Sequence, residues 1–156
     1  MTPAVTVLDR AGVPYQLLSY DHDPAAEAYG TEAAEALGLD PQSVFKTLVA
    51  VADGMSHIMG VVPVNGRLDL KALARAAGAK RAAMADHHDA ERLTGYVVGG
   101  ISPLGQRKQL ATFVDESAES QVVIRISGGR RGLEIELNPG DLVAAINGRF
   151  APIATS

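Results

Sequence analysis

Apolar and polar positions along the chain follow both of the periods typical of regular secondary structure. Apolar residues at helical spacing, bounded by caps or glycines, predict helices over residues 3–11, 31–37, 68–77, 87–93 and 139–146. Runs of apolar and β-branched residues predict strands over residues 15–20, 44–52, 57–64, 110–115, 121–127 and 132–137. Strands and helices are therefore interleaved along the chain.

Turn and cap residues fix several of these boundaries. Thr2 precedes Pro3 in the manner of an N-cap followed by proline at the first helical position. Asp53-Gly54 is a strong hairpin signal between two predicted strands, so part of the sheet is antiparallel. Neither a strict βαβ alternation nor a fixed repeat is visible. The sequence therefore predicts one α/β domain over residues 1–156, with a mixed sheet or a partly closed barrel flanked by helices.

Composition and charge narrow the classes of function. A chain of 156 residues with 47% hydrophobic and 21% charged residues is typical of a folded domain. It contains no cysteine, which excludes disulfides, a thiol nucleophile and cysteine-ligated metals. A net charge of −4 argues against a protein that grips long DNA. With no signal-peptide pattern and no long apolar run, we expect a cytoplasmic protein that does not span a membrane.

Lys46 is the first candidate for chemistry. In a strand its side chain shares one face with Val44, Leu48 and Ala50, so the lysine lies in an apolar row. An ammonium group is costly to bury without a partner. Lys46 is therefore either a cation that lines a pocket, ready for a phosphate, carboxylate or ester carbonyl, or a strand-end lysine that extends to solvent.

A glycine-rich segment over residues 95–105 is the second candidate. Glycine pairs permit close backbone approach and positive φ, and free N–H groups in such a loop bind anions or an oxyanion. The spacing matches neither the dinucleotide fingerprint nor the phosphate loop that ends in Gly-Lys-Ser/Thr. The alternative is a turn-rich connection between elements of the sheet.

Other residues with reactive side chains fit known motifs poorly. Ser102 lies outside a G-x-S-x-G elbow and precedes a proline, so its spacing does not support a nucleophile. His87 and His88 are neighbours on a predicted helix and face different directions, which disfavours joint metal ligation. His22, between two aspartates, is either a general base or an ordinary turn histidine. We predict no metal and no cofactor.

The last predicted strand alternates between two kinds of side chain. Leu133, Ile135 and Leu137 face the core, and Glu134 and Glu136 share the opposite face. Basic residues lie at the turn before this strand and in other short clusters, and they are either phosphate contacts or scattered surface charge. These candidates are Arg130, Arg131, Arg107, Lys108, Lys80 and Arg81.

Five segments, taken in their order along the chain, resemble those of a known family. The segments are Thr2-Pro3-Ala4-Val5, Tyr20-Asp21-His22-Asp23-Pro24, Phe45-Lys46-Thr47-Leu48, Gly99-Gly100-Ile101-Ser102-Pro103-Leu104-Gly105 and Ser127-Gly128-Gly129-Arg130-Arg131-Gly132-Leu133. Together they resemble the YbaK family of aminoacyl-tRNA deacylases, free-standing relatives of the editing domain of bacterial prolyl-tRNA synthetases. The similarity covers roughly residues 2–150, and the branch that hydrolyses Cys-tRNA(Pro) matches best.

The resemblance implies a fold and a set of site residues. The fold is a single α/β domain with a mixed, barrel-like sheet. Lys46 matches the family's essential lysine, and the loop Gly99-Gly100-Ile101-Ser102-Pro103-Leu104-Gly105 matches the one that wraps the terminal adenosine and the ester. Tyr20 and Gly129 are expected at the substrate. Glu134 stands where close relatives carry an acidic residue, so we expect the charge to be kept.

The resemblance also implies an activity and partners. The expected activity is removal of cysteine from Cys-tRNA(Pro), with Cys-tRNA(Cys) as a second candidate, by attack of the cysteinyl thiol on its own ester. Lys46 then holds the substrate, and N–H groups around Gly99 and Gly100 polarise the carbonyl. The expected partners are mischarged tRNA and prolyl-tRNA synthetase. Two alternatives stay open: hydrolysis of Ala-tRNA(Pro) or another mischarged tRNA, and a non-catalytic module that binds a nucleotide or an aminoacyl-adenylate.

Overall fold

A computed structural model describes residues 1–26 and 29–156. The helices of these residues are α1 (Pro3–Ala11), α2 (Tyr29–Leu37), α3 (Leu70–Ala77), α4 (His87–Thr94) and α5 (Pro139–Ile146). Short 3₁₀ turns occupy Pro41–Ser43 and Glu116–Ser120. The strands are β1 (Gln16–Ser19), β2 (Phe45–Ala52), β3 (Ser56–Pro63), β4 (Arg67–Leu68), β5 (Ala82–Met84), β6 (Ala111–Asp115), β7 (Ile124–Ser127), β8 (Leu133–Leu137), β9 (Arg149–Ala151) and β10 (Ala154–Thr155).

Local side-chain contacts explain where several helices begin. The Thr2 hydroxyl accepts from the Val5 N–H, and Pro3 follows at the first helical position, as predicted. Asp69 accepts from the N–H groups of Lys71 and Ala72, so α3 begins at Leu70 rather than at residue 68. Helix α2 begins at Tyr29, two residues before the predicted start at residue 31.

The strands form three sheets with mixed pairing. The main sheet has the order β5-β2-β3-β6-β9, with antiparallel pairs around β2 and parallel pairs around β6. A second sheet has the antiparallel order β1-β8-β7, and β10 pairs with β4. The Asp53-Gly54 hairpin joins β2 to β3, as predicted, and the fold is α/β with a mixed sheet.

Closure of the sheets into a barrel is not found among the described residues. One parallel bridge, between Val44 and Arg125, links the edge of β2 to β7. The sequence also missed β4, β5, β9 and β10, which contain only two or three residues each. Strands this short show too few alternations to give a period.

The two edges of β2 differ, and this difference positions the site. One edge pairs with β3 from Phe45 to Ala52, whereas the other pairs with β5 only from Ala50 onward. The Val49 carbonyl accepts from the Ala85 N–H at 3.0 Å, which ends the β5 contacts. Because alternate residues direct their main-chain groups to the same side, the main-chain groups of Thr47 face the open edge.

Packing separates the molecule into several apolar clusters. The largest contains Leu8, Phe45, Leu104, Ile135 and Leu142, and it joins α1, α5 and the second sheet to β2. A second cluster packs α3 on the other face of the main sheet. No helix within residues 1–26 or 29–156 is long and apolar enough to cross a membrane.

Candidate active site

A cleft of about 420 Å³ lies along the open edge of β2. Its walls come from β2, from β8 of the second sheet, from the glycine-rich loop and from the start of α4. Several residues singled out in the sequence line it: Tyr20, Lys46, Gly99, Ile101 and Glu134. The fold therefore brings together side chains that are distant in the sequence.

Lys46 supplies a half-buried cation to this cleft. Its side chain lies on the same face of the sheet as Leu48 and as its cross-strand partner Val62, which is the predicted apolar row. Burial lowers the pKa of Lys46, and the positive charge of Arg67 lowers that pKa further. No carboxylate pairs with Lys46 in the described part of the chain. The ammonium group is therefore available to an anionic or carbonyl ligand.

The glycine loop offers main-chain N–H donors, but the N–H of Gly100 is already used within the loop. The Gly100 N–H donates to the Val97 carbonyl at 2.9 Å, which closes a turn in which Gly99 has a φ of +90°. No acceptor is found within the described ranges for the N–H groups of Gly99 and Ile101. A Cβ atom at Gly100 would lie 2.9 Å from the Arg130 Cα, so this close approach requires glycine.

Two charged side chains anchor the glycine loop. The Arg131 guanidinium donates from Nε to the Val98 carbonyl at 3.0 Å. The Glu91 carboxylate accepts from the Val98 N–H at 2.7 Å. Arg131, expected at a phosphate, is thus engaged with the loop itself. Sequence reasoning gave Glu91 no role, because nothing in its spacing connects it to a loop seven residues later.

The second half of the loop lies behind the cleft wall. Ser102 is fully buried, and its Oγ accepts from the Leu104 N–H at 3.2 Å. The Leu104 carbonyl accepts from the Tyr96 hydroxyl at 2.7 Å, and Gly105 packs against the start of α1. The expected substrate contacts that do not line this cleft are Ser102, Pro103, Leu104, Gly105 and Gly129, together with the expected catalytic Gly100. Ser102 and Leu104 instead form hydrogen bonds within this segment.

Glu134 is a buried carboxyl on the wall opposite β2. It pairs with Ser127 of β7 and Leu18 of β1, and its residue is only 7% exposed. Burial raises the pKa of Glu134 to about 8, so in the open cleft the carboxyl is mostly neutral at pH 7. The acidic residue expected at this position is present, and burial favours the protonated form of its carboxyl. Alternation alone gave Glu134 and Glu136 the same surroundings, whereas Glu136 instead pairs with Arg125 at 2.8 Å.

Tyr20 provides a neutral hydroxyl near this carboxyl. Its N–H donates to the Gly132 carbonyl at 3.0 Å, which continues the β1–β8 ladder past the end of the strands. Burial raises the pKa of Tyr20, and the nearby Glu134 and Glu32 raise it further, while the Gly132 backbone opposes the shift. The phenol is therefore protonated at neutral pH and can donate to a ligand.

The histidines differ in their relation to the cleft. His87, to which the sequence assigned no role, lines the cleft from the exposed start of α4. His22 Nδ1 lies 2.8 Å from Glu32 Oε1, and Glu32 also accepts from the Asp23 N–H. Within the residues that the structure describes, no group of three or more histidine, aspartate or glutamate residues could hold a metal ion.

The remaining basic candidates are exposed. Arg107, Lys108 and Arg130 lie at the surface and outside the lining of the cleft. Arg67, which the sequence did not single out, is also exposed, and its charge acts on Lys46. No local pattern connects these two residues, because they are brought together only by the turn between β3 and β4.

Comparisons with known proteins match most of the chain to one family. The family profile described as "Aminoacyl-tRNA editing domain" matches residues 22–145. A relative from Enterococcus faecalis (strain ATCC 700802 / V583), named "Putative Cys-tRNA(Pro)/Cys-tRNA(Cys) deacylase EbsC", is 39% identical over 155 residues. That alignment covers 99% of this chain and 93% of the relative.

Solved structures share the fold over its whole length. The crystal structure of a hypothetical protein is 25% identical with a TM-score of 0.88, and the alignment covers 99% of this chain and 100% of the other. A crystal structure described as a "putative trans-editing enzyme for prolyl tRNA synthetase" is 24% identical with a TM-score of 0.80. The alignment covers 100% of this chain and 99% of that one. At this identity the likeness to the second structure concerns the fold alone.

Proposed function

Because the chain belongs to the aminoacyl-tRNA editing domain family, we propose that it is a trans-editing deacylase that removes cysteine from Cys-tRNA(Pro). Cys-tRNA(Cys) is the second candidate substrate, since the relative's name includes it. The observation that carries the proposal is the placement of the half-buried Lys46 ammonium and the glycine loop on one cleft. We take residues 1–156 as one editing domain, and a cytoplasmic location follows from the substrate.

The need for such an activity follows from the size of the amino acids. Cysteine and alanine are no larger than proline, so a synthetase pocket built for proline cannot exclude them by steric contact. A difference of one methylene discriminates by only about 1–3 kcal/mol. A second site must therefore destroy the wrong ester after it forms.

Within the cleft, the chemistry is assigned to the substrate rather than to a protein nucleophile. The cysteinyl sulfur attacks the carbonyl carbon of its own ester, and the thiol proton passes to the departing ribose oxygen. The bond between that oxygen and the carbonyl carbon breaks, which releases a cyclic thiolactone and the free tRNA 3′ end. The protein supplies the conformation in which sulfur and carbonyl meet. The buried, hydrogen-bonded Ser102 hydroxyl supports this assignment, because it is not presented to the cleft.

Stabilisation of the oxyanion is assigned to main-chain donors. The N–H groups of Gly99 and Ile101 are the candidates, since the Gly100 N–H already donates to Val97. Lys46 holds the ester or the terminal phosphate and so fixes the reacting geometry. The exposed residues Arg107, Lys108 and Arg130 are proposed contacts to tRNA phosphates, whereas Arg131 is assigned to the loop that its guanidinium contacts.

Recruitment through prolyl-tRNA synthetase is part of the proposal. A chain with a net charge of −4 gains little from long-range attraction to tRNA. A ternary assembly of synthetase, tRNA and this protein compensates for weak binding of free tRNA. Deacylation that does not respond to added synthetase at limiting tRNA would count against this step.

The decisive experiment compares Cys-, Ala- and Pro-tRNA(Pro) with product identification. The proposal predicts that only the cysteinyl ester is cleaved rapidly and that a thiolactone or its hydrolysis product appears. Equal cleavage of the alanyl ester would instead indicate attack by water. Lys46→Ala and Lys46→Met, each shown to be folded, should lose roughly 100-fold in kcat/KM. Lys71→Ala on the exposed face of α3 is the matched control.

A further inference from the structure

Glu134 presents a carboxyl group that the chemistry described so far leaves unused. The residue lines the cleft, yet no ion pair or hydrogen bond to its carboxyl is found in the part of the chain that the structure describes. Burial is the cause of its raised pKa. Burying such a group without a partner is strongly unfavourable. We therefore expect a ligand to supply the partner.

Lys46 does not serve as that partner. It lies on β2 of the main sheet, whereas Glu134 lies on β8 of the second sheet. A nearby carboxylate would raise the pKa of Lys46, but that pKa is lowered, by burial and by Arg67. The cleft therefore offers a cation on one wall and a separate carboxyl on another.

We propose that Glu134 binds the α-ammonium group of the aminoacyl ester and so restricts the substrates to esters of free amino acids. The inference rests on the proposed function. Esters of cysteine, alanine or proline with a ribose carry one cationic group, which is the α-ammonium. The polar residues Tyr20 and Ser127 line the same side of the cleft and complete the polar surroundings of that group.

This placement orients the whole substrate. With the α-ammonium at Glu134, the ester carbonyl is directed toward the donors of the glycine loop, and the phosphate end lies on the Lys46 side. An N-acylated ester, such as a peptidyl or formylated one, has no cation for Glu134 and places a bulkier group against it. The cleft thus distinguishes mischarged aminoacyl-tRNA from tRNA that already carries a growing chain.

The test removes the cation from the substrate and the carboxyl from the protein, separately and together. Cys-tRNA and N-acetyl-Cys-tRNA are compared with the unmodified protein and with Glu134→Gln, each corrected for spontaneous hydrolysis. The N-acetyl ester keeps its thiol, so attack by sulfur remains possible. We expect the unmodified protein to prefer the free amine by roughly 10- to 100-fold in kcat/KM, mainly through KM. In Glu134→Gln this preference should fall to about 1.

Glu136→Gln is the matched control, because it removes a carboxyl from the same strand outside the cleft and should keep the full preference. Retention of the full preference in Glu134→Gln overturns the inference. If neither the unmodified protein nor any variant cleaves either ester, the proposed function is wrong. The subsite is then tested by ligand binding alone. Thermal stabilisation by 3′-alanylamido-3′-deoxyadenosine is then compared with that by its N-acetyl form. Equal stabilisation of the unmodified protein by the two compounds rejects the subsite; a preference lost only in Glu134→Gln supports it.

Discussion

The guanidinium of Arg131 donates to the carbonyl oxygen of Val98, with 3.0 Å between Nε and that oxygen. This contact holds the first turn of the glycine loop against the start of β8. We predict that Arg131→Met lowers kcat about tenfold with little change in the salt dependence of KM, because it loosens the loop donors. The neighbouring variant Arg130→Met, which removes an exposed charge, should change the salt dependence instead. Identical effects of the two variants would show that Arg131 acts through tRNA binding alone.

The buried carboxyl of Glu134 makes stability depend on pH. Its pKa is about 8 in the folded protein and has an ordinary value of 4.5. Between these values the folded state binds more protons than the unfolded state, so its stability falls as pH rises through this window. Relative to the parent, Glu134→Gln should have almost the same free energy of unfolding near pH 4. Its advantage in that free energy should grow from pH 4.5 to 8 and stay constant above pH 8. The plateau is worth roughly 3 kcal/mol or more.

Denaturant unfolding at several pH values measures this difference in the free energy of unfolding between the two proteins. Glu136→Gln serves as the comparison, because that residue keeps an ion pair with Arg125. A difference between parent and Glu134→Gln that does not vary from pH 4 to pH 9 would show that the carboxyl titrates normally.

Arg67 and Lys46 form a pair of like charges, one on β4 and the other on β2. Burial lowers the pKa of Lys46 first, and Arg67 adds to that effect. Arg67→Gln should therefore raise the pKa of Lys46 without restoring its ordinary value, because burial persists. NMR titration of ¹³C-methylated lysines measures this pKa directly, since the chain has only four lysines. Arg75→Gln on α3 is the control, and an equal shift in both variants would exclude a local effect of Arg67.

Ser102 offers a test of the mechanism that separates stability from activity. Its Oγ accepts a hydrogen bond behind the loop and is fully buried. Ser102→Ala should cost about 1–2 kcal/mol of stability and keep most of the deacylase activity below the unfolding temperature. Complete loss of activity in a folded Ser102→Ala protein would restore a serine nucleophile to consideration.

Short-range signals were sufficient for much of the fold. The alternation around Lys46 predicted the apolar row that the structure contains, and Asp53-Gly54 predicted the hairpin beside it. Both signals act between residues close in sequence, where backbone geometry dictates the outcome. Strands of two or three residues, such as β4, carry no such signal and exist only because β10 pairs with them.

The electrostatic character of the site was less accessible from the sequence. Glu134 and Glu136 have the same local pattern, and only packing between the two sheets buries one while the other meets Arg125. The glycine pair predicted a loop with free donors, yet the turn between Val97 and Gly100 consumes one of them. Burial and hydrogen-bond partners depend on tertiary contacts, which no local pattern records.

The stretch of β2 that β5 does not cover makes part of the cleft insensitive to side-chain mutation. The main-chain groups of Thr47 face this edge, and a point mutation that replaces the side chain leaves them in place. β5 and the bridge at Val44 flank this stretch, so another chain cannot easily add a strand there and aggregate. Substitutions can thus change the side chains that line the cleft while these main-chain groups stay in place. New substrate preferences can evolve without changing that edge of β2.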